Sequence, residues 1–355
     1  MQTIDSRIIS FLRFPMIVGI VLIHSGLDIN GISSYSLYEY LITRGIIGTF
    51  TRVCVPLFFI ISGYLFFCNV KSFDKLAYAS KLRKRGRSLL EPYLFYNALA
   101  VFLFALMGCL RPDMQSGVVP PLSQWSPMLV VSLFWDYGSN LPIVPQFWFV
   151  RNLMVIVVLS PLVYWLVKRS KAAILLVLGG LWGGNIWEFG IPGTMALFFF
   201  SLGAYLSVNS ISIYTLATKL RVMGFFYPLL SIVDILTKGE SYNIYLHNIG
   251  ILSGIVLVLW VLGSYLNSKP SKRPNDFLLA STFFIFAMHS PYNGKVVAVI
   301  LHVLPSISQN ILIANLQCVI YYFFSATVWI LMLLAIFALI KKISPKMAMF
   351  LSGGR

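Results

Sequence analysis

The chain has 355 residues, of which 58% are hydrophobic and 11% charged, against about 25% charged in a typical soluble domain. A mean hydropathy of +0.84 excludes a soluble globular domain, and apolar runs that are long and continuous, not short and alternating, exclude a membrane β-barrel. The net charge of +16 is no argument for nucleic acid, because membrane proteins gather Lys and Arg in cytoplasmic loops for orientation alone.

Ten stretches read as membrane-spanning helices: 8–27, 47–68, 89–110, 147–167, 172–188, 193–209, 218–236, 244–266, 277–300 and 312–340. Each approaches the roughly 20 apolar residues that a helix needs to cross lipid. The expected fold is all-α: a polytopic integral membrane protein with both termini cytoplasmic. One domain covers 1–345, and 346–355 form a short cytoplasmic tail. The first run is read as a retained span, since Pro15 interrupts it and no small-residue cleavage site follows cleanly.

Loop charges support this map. The loop 69–88 carries Lys71, Lys75, Lys81, Arg83, Lys84, Arg85 and Arg87. Alternate loops after it carry Lys168, Arg169 and Lys171, then Lys219 and Arg221, then Lys269, Lys272 and Arg273. Lys341, Lys342, Lys346 and Arg355 follow the last span. The intervening loops hold only Arg44, Arg111, Lys238 and Lys295, which places the basic loops in the cytoplasm.

The segment 111–146 is a long external connection with Pro120, Pro121, Pro127 and Pro142. Its apolar stretch 128–135 is too short to span and reads as re-entrant or interfacial. Trp125, Trp135, Asp136 and Tyr137 have two readings, a sugar contact or an interfacial aromatic belt. The cysteines Cys54, Cys68, Cys109 and Cys318 are far apart and have no metal-ligand spacing.

Ionisable groups within spans are costly and usually functional. The first span holds Arg13 and His24, eleven residues apart. At about 100° per residue they fall within about 20° of one face, about 16 Å apart along the axis. The pair therefore looks into one slot. Arg suits planar phosphate or carbonyl recognition, and His is the usual general base near neutral pH. The plain alternatives are a snorkelling cation and a structural hydrogen bond.

LRFPMIVGIVLIHSG (12–26) resembles the opening of the acyltransferase-3 family of membrane O-acyltransferases, whose Arg-x10-His hallmark is matched by Arg13 and His24. Further segments are similar in order and spacing: Phe58, Phe59, Ser62 and Gly63 in the second span; Arg85 and Arg87 with Pro92 and Tyr93 at the start of the third; PQFWFVRNL at the fourth; FFFSLGAYL at the sixth; and FFIFAMHSP, with His289 and Pro291, late in the chain. The chain departs from the family at Phe286, where a Tyr is usual, and at Gln146, where Gly-His-like residues are common.

The resemblance implies a bacterial inner-membrane enzyme that transfers an acyl group, usually acetyl from acetyl-coenzyme A, to a hydroxyl of an extracytoplasmic saccharide. Arg85 and Arg87 would bind the nucleotide end of the donor. Arg13 would orient the donor or polarise its carbonyl. His24 would act as the base or carry the acyl group. Ser62 would line the donor path or serve, with Gly63, close helix packing. His289 would shuttle a proton, orient the acceptor or be structural. His247 and His302 have no assigned role, Glu91 is read as an ion-pair partner for a neighbouring Arg, and Glu188 and Asp234 either contact an acceptor or sit in water. The competing classes are a secondary transporter of a sugar or anionic solute and a non-catalytic membrane partner. Against a transporter, the halves show no repeat.

Overall fold

The apolar runs fold as helices, and no strand occurs among the described residues. The computed structural model describes residues 3–28, 35–70, 72–110, 124–136 and 141–354, without the side chains of 107, 108, 110, 291–293 and 295. Lys71, Arg111, Pro120, Pro121, Tyr137 and Arg355, named above, lie outside the described residues, as do the side chains of Pro291 and Lys295.

Helix α1 spans Ile4–Ile23. Thr3 caps its start by accepting from the Ser6 amide at 3.3 Å, and Asp5 places negative charge in the first turn. Asp5 is nevertheless only 5% exposed. It accepts from the Ile213 and Tyr214 amides at 3.2 and 3.0 Å, from Ser212 Oγ at 2.9 Å and from Tyr64 Oη at 3.1 Å. It thereby joins the start of α1 to a bend more than two hundred residues away.

The helix stops at Ile23, short of the predicted 27. Tyr322 Oη donates to the Leu22 carbonyl at 2.9 Å and Ser25 Oγ to the Val21 carbonyl at 2.7 Å, which satisfies the end. His24 is the C-cap, with φ −97° and ψ 1°.

The second apolar stretch, Ser36–Phe67, begins π-helical over Glu39–Ile47 and 3-10-helical over Phe50–Val53. Only α2, Cys54–Phe67, is regular α-helix. Thr49 and Thr51 donate to the Arg44 and Ile46 carbonyls at 2.8 and 2.7 Å, bonds that accompany the irregular turns. The basic helix α3, Lys75–Arg85, leads into α4, Glu91–Leu110. Next come α5, Pro127–Trp135, inside the long connection, and then α6, Trp148–Val158, and α7, Ser160–Ser170, which meet at 67°. Helix α8 is Ala173–Gly183. Helices α9, Thr194–Val208, and α10, Ile213–Lys219, meet at 107°. The remainder are α11, Arg221–Phe225; α12, Tyr227–Leu236; α13, Asn243–Ser268; α14, Asp276–Val303; α15, Ile311–Ile343; and α16, Pro345–Leu351.

Every predicted stretch is therefore occupied by helix. Among the described residues, five helices are long and apolar enough to cross a membrane, or up to seven if each bent pair counts as one span. The apolar segments 173–183, 227–236 and 276–290 are shorter. Helix α1 lies centrally, packed on α2, α13, α14 and α15.

The tightest pairing is α2 on α9. A Cβ at Gly63 would overlap the Phe200 carbonyl oxygen, and one at Gly203 would overlap that of Ile60. The two glycines let the backbones touch, as small residues do between membrane helices.

The long connection folds back into the bundle. Tyr93 on α4 and Arg151 on α6 donate to the Phe134 and Trp135 carbonyls at the end of α5. Downstream, the Val144 amide donates to Asn97 Oδ1 at 3.3 Å. The Arg151 guanidinium also lies 5.7 Å over the Trp135 ring. The tail is folded: Tyr96 Oη donates to the Leu351 carbonyl at 3.0 Å, and the Phe350 and Phe95 rings lie 5.3 Å apart.

Candidate functional site

The face of α1 that carries Arg13 and His24 also carries Ile17 and Ile20, and these two line a small cavity of about 60 Å³. Ser62 of α2, Val150 of α6 and Phe286 of α14 line it further along, and Arg85 lines it from the end of α3. This partly open space lies between α1, α2, α6 and α14.

One end is basic. Arg13 is half-buried, and Arg85 lies within electrostatic range of it. Neither guanidinium forms an ion pair or hydrogen bond among the described residues; Arg85 only rests 5.9 Å over the Phe66 ring, beside Lys81 at 5.8 Å. Partly buried like charges without a carboxylate favour an anion between them. Arg87 is exposed and does not line the cavity, whereas Arg85 does.

The two histidines selected from the sequence do not line the cavity but meet each other beside Phe286, which does. Their ring centroids are 5.2 Å apart, with planes inclined at 48°. His24 is reachable from solvent, whereas His289 is 0% exposed. The Phe286 ring, which lines the cavity, lies 6.1 Å from the His289 ring. His289 Nδ1 is 2.7 Å from the Phe286 carbonyl oxygen. A carbonyl only accepts, so Nδ1 carries the proton and neutral His289 presents a bare lone pair at Nε2. Trp329 Nε1 donates to the His289 carbonyl at 3.0 Å and fixes this turn of α14.

Sequence reasoning missed Arg52 here, and it singled out Gln146 as a departure without finding its contact. Arg52 lies within electrostatic range of His24 while its Nε donates to the Ile47 carbonyl at 2.8 Å. Gln146 is 2% exposed and donates from Nε2 to the Ala287 carbonyl at 2.9 Å. The signal for Gln146 was available: Pro291 has no amide, so the carbonyl four residues earlier needs a donor from elsewhere.

Other expectations are corrected. Asp234 neither sits in water nor faces an acceptor: it is 1% exposed. It accepts from Thr49 Oγ1 at 2.6 Å, Lys238 Nζ at 2.9 Å and Asn243 Nδ2 at 2.9 Å, and pairs with His247 Nδ1 at 3.0 Å. A carboxylate is tolerated in this apolar setting because cations and donors surround it. This network also gives His247 its place. Glu188 accepts from the Thr194 amide at 2.8 Å and so caps α9. Glu91 is exposed and forms no ion pair among the described residues. His302 has no partner role here.

No group of three or more His, Cys, Asp or Glu that could hold a metal ion occurs among the described residues. The chain matches the model of the Acyltransferase domain family Acyl_transf_3 over residues 7–339. It is also 28% identical over 215 residues to the succinoglycan biosynthesis protein ExoH of Rhizobium meliloti (strain 1021), covering 58% of this chain and 55% of that protein. The chain thus spans about half the length of this curated relative. No solved structure matches.

Proposed function

The chain belongs to the acyltransferase-3 family and is an acyltransferase, and from that premise we propose that it moves an acetyl group from cytoplasmic acetyl-coenzyme A to a hydroxyl of a cell-surface or lipid-linked sugar. In this reading it crosses the bacterial inner membrane ten times, with both termini and the basic loops in the cytoplasm. The single observation that carries the proposal is an arrangement along α1: a cavity lined by Arg85, with Arg13 in electrostatic range and no acidic partner among the described residues, and the His24–His289 pair beside Phe286 of its lining. A relative named for succinoglycan biosynthesis supports a saccharide acceptor. The family match over residues 7–339 favours this reading over the transporter and non-catalytic ones.

Phosphates of the donor bind at Arg85 and Arg13, where bidentate guanidinium contacts are strongest. The pantetheine arm follows Ile17 and Ile20 towards His24. His24 takes the proton of the sugar hydroxyl as its oxygen attacks the thioester carbonyl. A C–O bond forms, the C–S bond breaks, and the proton passes to the departing coenzyme A thiolate. His289, neutral and held by Phe286, receives a hydroxyl or the His24 N–H at Nε2.

The test is reconstitution in proteoliposomes with labelled acetyl-coenzyme A and extracted surface glycan. General-base catalysis is worth roughly 100- to 10,000-fold, so His24→Ala should lose transfer by that order. Equal transfer by wild type and His24→Ala would remove His24 from the mechanism. Solute flux without transfer would restore the transporter reading.

A further inference from the structure

We infer that Gln146 is a specificity-determining residue that receives a second hydroxyl of the acceptor sugar at Oε1, beside the hydroxyl that reacts at the histidine pair. The inference rests on the acyl-transfer reading above and adds to it a residue and the chemistry it selects.

Two buried side-chain atoms near the reacting end have no hydrogen-bond partner: His289 Nε2 and Gln146 Oε1. Both residues are more than nine-tenths buried, at 0% and 2% exposure. Their chemical identities follow from their anchors. His289 Nδ1 sits on the Phe286 carbonyl at 2.7 Å, and Gln146 Nε2 sits on the Ala287 carbonyl at 2.9 Å. Carbonyls only accept, so the amide orientation and the imidazole tautomer are both fixed, and both remaining atoms are acceptors.

The anchors are consecutive carbonyls of α14, which lie about 3–4 Å apart by α-helical geometry. The two side chains that carry the orphaned acceptors are therefore anchored side by side on α14. Phe147, the next residue after Gln146, packs its ring 5.7 Å from that of Phe286, which lines the cavity.

Acceptors without donors select a class of ligand. A phosphate or a thioester carbonyl offers only acceptors and gains nothing here. A polyhydroxylated ring offers adjacent O–H donors, one for His289 Nε2 or His24 and one for Gln146 Oε1. Leaving a buried acceptor unmatched is costly, so a sugar lacking the second hydroxyl is rejected much more strongly than an apolar pocket would reject it.

Gln146 also holds the carbonyl freed by Pro291, and the test separates the two roles. Membranes from a strain lacking the chain are supplied with wild type, Gln146→Met, Pro291→Ala, or both substitutions together. The probes are labelled acetyl-coenzyme A and the strain's own surface glycan stripped of esters by mild alkali. Pro291→Ala restores an intrahelical amide to the Ala287 carbonyl, so the double variant lacks only the Oε1 acceptor.

The expected result is a rise of about ten- to hundredfold in the KM for glycan with Gln146→Met, retained in the double variant relative to Pro291→Ala, with the KM for acetyl-coenzyme A unchanged. Gln146→His, which keeps one donor and one acceptor, should recover much of the loss. If the double variant has the glycan KM of Pro291→Ala alone, Gln146 is only a prop for α14 and the inference is overturned. If wild type transfers no label to the stripped glycan, and the strain lacking the chain has lost no ester, the acyl-transfer reading fails and the inference falls with it.

Discussion

Replacing Arg85 by Gln should weaken the donor and spare the fold. Arg85 lines the cavity with no acidic partner, near a second guanidinium at Arg13. Loss of one charge-assisted hydrogen bond to a phosphate is worth about 1.5–3 kcal/mol, reduced towards the lower figure because Arg85 is only half-buried. That corresponds to a rise of about tenfold, at most about a hundredfold, in the KM for acetyl-coenzyme A. Stability should move the other way or not at all, since removing one of two neighbouring like charges relieves repulsion. The assay is initial-rate label transfer in proteoliposomes at varied donor concentration, with melting followed in detergent. The kcat at saturating donor should stay within a few-fold. An unchanged donor KM with a lowered melting temperature would refute the reasoning, because Arg85 would then be a structural cation resting on Phe66.

Other substitutions test other parts of the account. Gly63→Ala pushes a methyl group into the Phe200 carbonyl and should destabilise by about 1–3 kcal/mol, read as a lower melting temperature in detergent. Asp234→Asn leaves Lys238 and His247 without their carboxylate and should cost about 3–5 kcal/mol in the same measurement, with donor KM unchanged. A donor KM that shifts with no loss of stability would place Asp234 in the site instead of the scaffold.

Much of the site was legible because it depends on helical spacing. Arg13 and His24 lie on one face by arithmetic, and Ile17 and Ile20 between them line the cavity. Ser62 and Gly63 divide the two roles read for them: Ser62 faces the cavity, and Gly63 meets Gly203's helix at the closest crossing. Tertiary facts were not legible. The approach of His289 to His24 spans most of the sequence and depends on α14 packing on α1. Asp234 looked like a loop-end acid because it falls at the end of an apolar run; its partners Thr49 and His247 come from two other segments. Pro291 announced a freed carbonyl but not its donor, which is Gln146, distant in sequence. The bend at 159 was also hidden, since the predicted span 147–167 runs through it without a break.

The central claim is that acyl transfer passes through the cavity along α1. Ser62→Phe places a ring in that space while leaving Arg13, Arg85, His24 and His289 intact. Label transfer from acetyl-coenzyme A to ester-stripped glycan is measured for wild type and Ser62→Phe at equal amounts of folded protein. The account predicts that the variant melts within a few degrees of wild type yet transfers almost no acetyl group. Transfer at the wild-type rate would contradict it, because the donor would then have to reach the histidines by another path.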